Sequence, residues 1–138
     1  MKEKLNLVLL IDDNRADNYF HQMVIEDAGC ALETIAIESG QKALDYLTTK
    51  LESGYPGPDL ILLDINMPRM NGWEFLEKYE QLDEKYKARV VVVMLTTSTD
   101  PLNQRKASSL QGVKGVKHKP LTEKMLLEII ATYFPEKF

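Results

Sequence analysis

Short segments made almost entirely of apolar residues most constrain how this chain can fold. They span residues 5–11, 60–63 and 90–95, and each is far shorter than the roughly 20 residues of a membrane-spanning helix. Segments of this length and composition are typical of β-strands that are buried on both faces. Residues 33–38 and 113–118 read as more polar strands, the first of them at a sheet edge. The sequence therefore predicts five strands.

Amphipathic helical patterns alternate with the predicted strands. Ser39, Asn71, Asp100 and Thr122 are suitable N-caps for the last four of five predicted helices. The alternation predicts an α/β fold, a doubly wound five-stranded parallel sheet with helices on both faces. The fourth helix has few apolar residues, so little packing would hold it. The apolar side chains at helical spacing are Phe20, Met23, Val24 and Ala28 in the first helix, Ala43, Leu44, Leu47 and Leu51 in the second, Phe75, Leu76 and Tyr79 in the third, and Met125, Leu126, Ile129, Ile130 and Tyr133 in the fifth. In the fourth helix, Leu102, Ala107 and Leu110 are almost the only apolar residues.

Length and composition fit one ordinary domain, expected to cover residues 1–138. The chain is 44% hydrophobic and 28% charged, as in a globular protein with a substantial core. The formal charge of −4 gives no basic surface for nucleic acid, and the charged N-terminus lacks the features of a secretory signal. The single cysteine, Cys30, excludes an internal disulfide and a cysteine metal cluster. We therefore expect a cytoplasmic protein without membrane contact, in which Cys30 is a packed, reduced thiol.

Polar side chains that suit metal and phosphate chemistry stand at the carboxyl ends of four predicted strands. Asp12 and Asp13 follow the first strand, Asp64 the third, Thr96 the fourth and Lys119 the fifth. The carboxyl ends of parallel strands share one edge of the sheet, and ligand sites lie there at the reversal of strand order. Carboxylates brought together repel one another, and a hard cation such as Mg²⁺ relieves that repulsion. We therefore expect these side chains to converge on a metal site.

A carboxylate beside a metal ion and an ammonium group is equipped to receive a phosphoryl group. Carboxylates act as covalent nucleophiles towards phosphate. The metal and the ammonium group would stabilise negative charge on the transferring oxygens. A charge at the end of a buried strand, such as Asp64, is unfavourable unless it is paired or reactive. The set of residues therefore suits the acceptance of a phosphoryl group on a carboxylate.

These residues make the sequence resemble a response-regulator receiver domain of the CheY type over essentially its whole length. Any one of the matching features alone would be weak, whereas several in the right order at strand ends are specific. The features are the Asp12-Asp13 pair after the first strand, Asp64 followed by Asn66-Met67-Pro68 and Asn71-Gly72, Thr96 after the fourth strand, and Lys119-Pro120 after the fifth.

The resemblance implies a strand order and a metal site. The strand order would be 2-1-3-4-5, and Asp64 would be the phosphoacceptor. Asp13, Asp64 and the main-chain oxygen of Asn66 would bind Mg²⁺ or Mn²⁺, and Asp12 would act on the metal mainly through water. These expectations follow from the family and not from the spacing of the residues.

The resemblance also implies roles around the phosphoryl group. Lys119 would pair with the carboxylate of Asp64 and later with the phosphoryl group. Thr96 would donate its hydroxyl to a phosphoryl oxygen and move towards it on activation. The peptide bond between Lys119 and Pro120 would be cis, as is usual in the family.

The function implied by the resemblance is that of a stand-alone response regulator in a two-component phosphorelay. A histidine kinase or a histidine phosphotransfer protein would donate the phosphoryl group, and a downstream protein target would respond or the phosphoryl group would be passed onward. The sequence ends soon after the fifth predicted helix, so no output domain is expected. We expect a switch that assists its own phosphorylation and dephosphorylation, not an enzyme with an external substrate, and a monomer or weak dimer.

Some positions depart from the family pattern or fall outside it. Val116 stands three positions before the lysine, where an aromatic residue commonly couples to the threonine, so an aromatic switch is not expected here. Thr97 stands where a smaller residue is frequent, which would narrow access to the phosphoryl group. His118 is expected to point away from the site, and His21 to lie at the surface or its boundary.

Three alternative functions compete with that of a receiver domain. A haloacid-dehalogenase-type phosphohydrolase would use Asp12 as its nucleophile, but it requires a second aspartate where Asn14 stands, and usually a longer chain. A flavodoxin-like mononucleotide binder requires a hydroxyl- or glycine-rich loop after the first strand, where two acids stand instead. A receiver-shaped scaffold that is never phosphorylated would not need the full set of site residues.

Overall fold

The computed structural model describes residues 3–52, 54–87, 91–110 and 112–137. Strands and helices alternate through these residues, as the sequence predicts. In chain order the elements are β1 (Leu5–Ile11), α1 (Arg15–Ala28), β2 (Ala31–Ile37), α2 (Gly40–Leu47), β3 (Leu60–Asp64), α3 (Gly72–Glu80), α4 (Glu84–Lys87), β4 (Val91–Thr96), α5 (Pro101–Ser108), β5 (Val113–His118) and α6 (Glu123–Tyr133).

The strands form one parallel sheet in the order β2-β1-β3-β4-β5. This confirms the doubly wound α/β fold and the strand order implied by the resemblance. The chain reverses direction across the sheet between β1 and β3, because β1 pairs with β2 on one side and with β3 on the other. The crevice outside the carboxyl ends of β1 and β3 is therefore where a ligand site is expected.

Two apolar layers hold helices against the two faces of the sheet. Alternate side chains of β1 enter different layers: Leu9 and Ile11 pack with α2, α3 and α5, whereas Val8 and Leu10 pack with α1 and α6. Burial of each aliphatic side chain of this kind contributes about 1.5–3 kcal/mol to the free energy of folding. The strands at the centre of the sheet are thus fixed from both faces, and so are the residues at their ends.

Local capping explains where several helices begin. The side chains of Ser39, Asn71, Asp100 and Thr122 accept hydrogen bonds from backbone N–H groups in the first turns of α2, α3, α5 and α6. Asn71 and Glu74 form the reciprocal capping box that the sequence indicates. The predicted N-caps are confirmed, and Asn14 provides one more for α1.

The apolar face predicted for α1 is confirmed only in part, since Val24 and Ala28 pack against the apolar layer. Phe20 and Met23 are exposed, while Asn18, His21 and Ile25 are buried. His21, expected at the surface, accepts a hydrogen bond at 3.3 Å from the backbone N–H of Leu121. The buried face of α1 therefore includes polar side chains with specific hydrogen-bond partners, and a search for apolar periodicity does not detect them.

Smaller differences concern element boundaries. Helix α2 ends at Leu47, so Leu51 lies outside it and is exposed. Helix α4 is a single turn that the sequence did not predict, since one turn carries no apolar period. Strand β2 starts two residues earlier than expected, and Val90, the expected start of β4, lies outside the described residues. No helix among the residues described is long and apolar enough to cross a membrane.

Candidate functional site

Asp64 is the last residue of β3 and lies in the crevice at the reversal of strand order. It is 5% exposed. Helix α3 starts directly against this strand end, because the N–H of Gly72 donates to the carbonyl of Ile65 at 2.8 Å. A Cβ at Gly72 would lie 2.6 Å from the carbonyl oxygen of Asp64, so the close approach requires glycine. The Asn71-Gly72 pair therefore both caps α3 and packs it onto the strand that carries Asp64.

Asp12 and Asp13 follow β1, next to Asp64 in the sheet. Asp12 is buried and Asp13 is exposed. One carboxylate oxygen of Asp12 accepts a hydrogen bond from the N–H of Asn14 at 3.0 Å, and its carbonyl accepts one from the side-chain amide of Asn18 at 2.8 Å. The turn into α1 therefore holds Asp12 in place through its own first residues.

Lys119 is brought to the same crevice by the turn that follows β5. Its backbone N–H donates to the carbonyl of Thr96 at 2.8 Å, and the peptide bond to Pro120 is cis, as the resemblance implies. The next residue, Leu121, is fully buried and donates its N–H to His21. The backbone on both sides of Lys119 is thus attached to the body of the fold.

The ammonium group of Lys119 lies among three carboxylates. Its Nζ is 2.7 Å from Oδ2 of Asp12, 3.0 Å from Oδ2 of Asp17 and 3.2 Å from Oδ1 of Asp64. The side chains of Lys119, Asp12 and Asp64 are less than a tenth exposed, whereas that of Asp17 is 39% exposed. Burial lowers the pKa of Lys119, but hydrogen bonds to Asp12 and Asp17 and the nearby charges outweigh it and raise the pKa above its usual value. The ammonium group is therefore charged at any physiological pH.

Sequence reasoning did not identify Asp17 as part of this cluster. It lies in the first turn of α1, where an acid is also explained by the helix dipole. A usable signal was nonetheless present, because the first turn of a helix after β1 must lie at the carboxyl edge of the sheet. An acid there is close to whatever the other strand ends deliver.

Asp64 is the carboxylate most altered by its surroundings. Burial raises its pKa from an ordinary 3.8 to about 6, and the negative charge of Asp12 adds to the effect. Lys119 and a hydrogen bond from the backbone of Asn66 act in the opposite direction. Asp64 is therefore ionised at neutral pH although burial and the charge of Asp12 disfavour its ionised form. Carboxylates with pKa values shifted in this way are frequent at reactive sites.

The acidic edge of the cluster has a donor set suited to a hard cation. One oxygen each from Asp12, Asp13 and Asp64 lie within 4.8 Å of one another. Carboxylate oxygens are the preferred ligands of Mg²⁺, and a divalent charge would relieve the repulsion from Asp12 that, after burial, helps to raise the pKa of Asp64. These residues therefore fit a magnesium site.

Thr96 is the last residue of β4, and its backbone is hydrogen-bonded to that of Lys119. The residue is buried, and its hydroxyl oxygen accepts a hydrogen bond from the N–H of Ser98 at 2.9 Å. The ring of His118 spans from the loop after Thr96 to the site lysine, with Nε2 3.0 Å from the carbonyl oxygen of Thr97 and Nδ1 2.6 Å from that of Lys119. His118 is exposed and does not contact the acids, but it connects the two loops that carry Thr96 and Lys119.

The position of the usual aromatic switch is filled by a core residue. Val116 is buried and packs in the apolar layer with α3 and α5. Its carbonyl oxygen accepts a hydrogen bond at 2.9 Å from the side-chain amide of Gln104 in α5. The contact between α5 and β5 therefore combines apolar packing with a hydrogen bond from a helix side chain, and Val116 contributes no aromatic ring to it.

Most of the predicted site residues thus meet, although the strands that carry them are far apart in sequence. Asp12, Asp13, Asp64 and Lys119 form one cluster, and Thr96 adjoins Lys119 through the backbone. Asn66 is exposed after β3, with its backbone directed at Asp64. Their proposed roles remain predictions, whereas the proximity of the cluster is structural.

Comparison with protein families matches residues 8–131 to the response regulator receiver domain. The chain belongs to this family. Receiver domains take phosphate from histidine kinases or phosphotransfer proteins, bind Mg²⁺ at an acidic pocket and generally act as signalling switches. This receiver domain has the acidic cluster in the expected place, so the family resemblance is confirmed, and the phosphohydrolase alternative is not favoured.

The receiver domain is similar to proteins of several bacteria. Response regulator Rcp1 of Synechocystis sp. is 36% identical over 93 residues, which are 67% of this chain and 62% of that protein. Sensor histidine kinase GacS of Pseudomonas protegens is 26% identical over 123 residues, which are 89% of this chain and 12% of that protein. The chain therefore spans less than two thirds of these relatives.

A solved structure supports the same fold. A two component response regulator from Cytophaga hutchinsonii superposes with a TM-score of 0.87 at 32% identity, covering 96% of this chain and 99% of that one. Agreement over nearly the whole length of both chains indicates that the α/β topology and the position of the crevice are shared.

Proposed function

We propose that residues 1–138 form a single receiver domain that accepts a phosphoryl group on Asp64. The observation that carries the proposal is the ammonium–carboxylate cluster, in which Asp64 is buried and lies 3.2 Å from Lys119. A nucleophile must be ionised to attack phosphorus, and the pKa of about 6 leaves Asp64 mostly ionised at neutral pH. The same value keeps the carboxylate more basic than an ordinary surface aspartate.

The covalent step exchanges one bond to phosphorus for another. An oxygen of the Asp64 carboxylate attacks the phosphorus of a phosphohistidine, the N–P bond of the donor breaks, and the imidazole leaves with the bonding electron pair and takes up a proton. The product is an acyl phosphate on Asp64. Hydrolysis of the acyl phosphate by water regenerates the carboxylate and releases inorganic phosphate, which resets the switch.

Lys119 and Thr96 stabilise the product in this proposal. The ammonium group of Lys119 already lies beside Asp64, so it can donate to a phosphoryl oxygen without a large movement. The hydroxyl of Thr96 can donate, because its one hydrogen bond among the described residues is accepted by its oxygen from the N–H of Ser98. Donation to a phosphoryl oxygen would rotate the hydroxyl and draw the start of the β4–α5 loop towards the site.

Asp12, Asp13, Asp64 and the main-chain oxygen of Asn66 are proposed to hold Mg²⁺ or Mn²⁺. When bound, the cation would offset the negative charge that accumulates on the phosphoryl oxygens. The residues of the chain supply the rest of the site: Lys119 balances the opposite side, and burial of Asp64 by α3 limits the access of water.

The donor is proposed to be a histidine kinase or a histidine phosphotransfer protein, in keeping with the family and with the match to a sensor histidine kinase. The acyl phosphate would shift the population of conformations of the β4–α5 region and so alter binding to a downstream protein, or be passed onward. No nucleic-acid or membrane partner is proposed, and the regulator would act in the cytoplasm as a monomer or weak dimer, without turning over an external substrate.

Phosphate-affinity electrophoresis after treatment with phosphoramidate and Mg²⁺ tests this proposal. Wild type and Asp45→Asn, an exposed acid in α2, are expected to show a shifted, hydroxylamine-labile band that Asp64→Asn lacks. Absence of the band in wild type would overturn the proposal. Turnover of p-nitrophenyl phosphate that is kept in Asp64→Asn but lost in Asp12→Asn would instead support the phosphohydrolase.

A further inference from the structure

Asp17 competes for the same ammonium group that the phosphoryl group needs. Its Oδ2 accepts a hydrogen bond from Lys119 at 3.0 Å, slightly closer than the 3.2 Å to Asp64. The backbone of Asp17 is fixed, because its N–H donates to the side chain of Asn14 at the N-cap of α1. The contact is therefore part of a defined helix start and not a chance meeting of two flexible side chains.

The charge of Asp17 is not neutralised by the rest of the proposed site. The candidate metal ligands are Asp12, Asp13 and Asp64, and their oxygens lie within 4.8 Å of one another, whereas Asp17 is outside that group. A cation held by the three ligands would offset their charge and weaken their hold on Lys119. Asp17 would keep its full charge and its hydrogen bond to the ammonium group.

An ammonium group has three hydrogen-bond donors, and here three carboxylates surround it. A phosphoryl group on Asp64 adds further acceptors and roughly −1.5 to −2 of charge close to Lys119. The ammonium group can then donate to the phosphoryl oxygens only by sharing or releasing an existing partner. Asp17 is the partner with the most exposed side chain, and water can replace its lost hydrogen bond.

We propose that Asp17 is a positioning residue that holds Lys119 in the unphosphorylated state and limits the stability of the phosphorylated state. This inference rests on the proposed function of Asp64. Removal of the Asp17 charge frees Lys119 for the phosphoryl group, so the phosphorylated conformation is favoured. Asp17 acts through Lys119 and does not touch the transferring group.

The test measures binding of beryllofluoride, a phosphoryl mimic, by calorimetry in the presence of Mg²⁺. We compare wild type with Asp17→Asn, with Asp17→Glu, and with Asp27→Asn, which removes an exposed acid from the other end of the same helix. Asp17→Asn is expected to bind about 3–5-fold more tightly, a change equivalent to about 0.7–1 kcal/mol, which is the upper part of the range for exposed ion pairs. Asp17→Glu, which keeps the charge, and Asp27→Asn are expected to stay within about twofold of wild type.

A second measurement, in metal-free protein, shows whether Asp17 acts through Lys119. The ¹⁵N resonance of the Lys119 ammonium group is expected to change in Asp17→Asn and to remain unchanged in Asp27→Asn. Tighter binding without this change would mean that Asp17 acts by its charge alone, and the proposal would be overturned.

The outcomes separate this inference from the proposed function. If wild type binds beryllofluoride with Mg²⁺ and Asp17→Asn binds equally or more weakly, the role of Asp17 is wrong and the function of Asp64 stands. If wild type shows no Mg²⁺-dependent binding and no phosphorylation of Asp64, the proposed function is wrong, and the role of Asp17 that rests on it is wrong as well.

Discussion

Helices α5 and α6 follow the two strands that carry Thr96 and Lys119, but they are anchored very differently. In α6, Leu126, Ile129 and Ile130 are at most 1% exposed and lie in the apolar layer shared with α1. In α5, Ala107 is the buried residue among the eight described, and Leu102 is 59% exposed. One side of the site is therefore fixed by a core helix and the other is bordered by a helix with little apolar contact.

This difference suits a switch better than uniform packing would. In the proposed function Lys119 meets the phosphoryl group at one place. The turn that follows Lys119 is held there by the hydrogen bond from Leu121 to His21 and by packing of Leu121 in the apolar layer with α6. Thr96 begins the loop that leads to α5, and a weakly packed helix can change position at low free-energy cost. In the proposed function, the firmly packed helix therefore adjoins the residue that stays in place, Lys119, and the weakly packed helix adjoins the residue that moves, Thr96.

The largest expected effect comes from a matched pair of leucines in the two helices. Leu126→Ala removes a side chain that is 0% exposed and is expected to lower the free energy of unfolding by about 2–5 kcal/mol. Leu102→Ala removes one that is 59% exposed and is expected to change it by less than about 0.5 kcal/mol. Urea unfolding of both variants measures the contrast. Equal losses would show that α5 is packed as firmly as α6.

The next effect sharpens the comparison at the anchored side, where Asp64 is held beside Lys119. The pKa of Asp64 is raised to about 6 in the fold, mainly by burial, and the ordinary value is about 3.9, so the folded protein binds this proton more tightly than the unfolded chain. The stabilisation from protonation is present below about pH 4 and is lost as the pH rises through about 6. The Asp64→Asn variant has a neutral side chain at every pH, so its stability does not depend on this protonation.

We therefore expect metal-free Asp64→Asn to be more stable than wild type at pH 7.5 by about 1–2 kcal/mol, roughly half of the full linkage value, since a buried amide has a desolvation penalty of its own. The difference should decrease as the pH falls and reverse sign by about pH 4, where wild type carries a neutral carboxyl group and the variant still has the desolvation penalty of its amide. Unfolding in urea with a chelator at several pH values measures it, and Asp45→Asn, exposed in α2, is the control. A difference that grows as the pH falls would contradict the assignment.

The smallest effect is expected in the contact that joins α5 to β5. Gln104→Ala removes the hydrogen bond to the carbonyl of Val116 and is expected to lower global stability by about 0.5–1 kcal/mol. Hydrogen exchange of the α5 amides should accelerate, while that of the α6 amides should change only in proportion to global stability. Arg105→Ala, an exposed neighbour in the same helix, serves as the control. Equal acceleration in both helices would remove the distinction between them.

Much of the fold followed from patterns within a few residues of one another. Apolar runs identified the strands, and Asn71 with Glu74 identified the start of α3, because capping joins groups three positions apart. The order of Asp12, Asp13, Asp64, Thr96 and Lys119 along the chain was enough to place them at one sheet edge once the strands were assumed parallel. The apolar face of α1 was predicted only in part. The sequence did not show that His21 is buried, because the N–H of Leu121 that donates to it lies 100 positions away.

The local sequence thus determined the elements, their caps and the edge at which the site lies. Only the tertiary structure decided which carboxylates share the ammonium group of Lys119. Asp17 and Lys119 are 102 positions apart, and no spacing rule relates them. Their distance depends on the crossing of α1 over the sheet and on the turn after β5. A charge interaction falls off with distance and exposure, so its strength is set when the whole chain has packed.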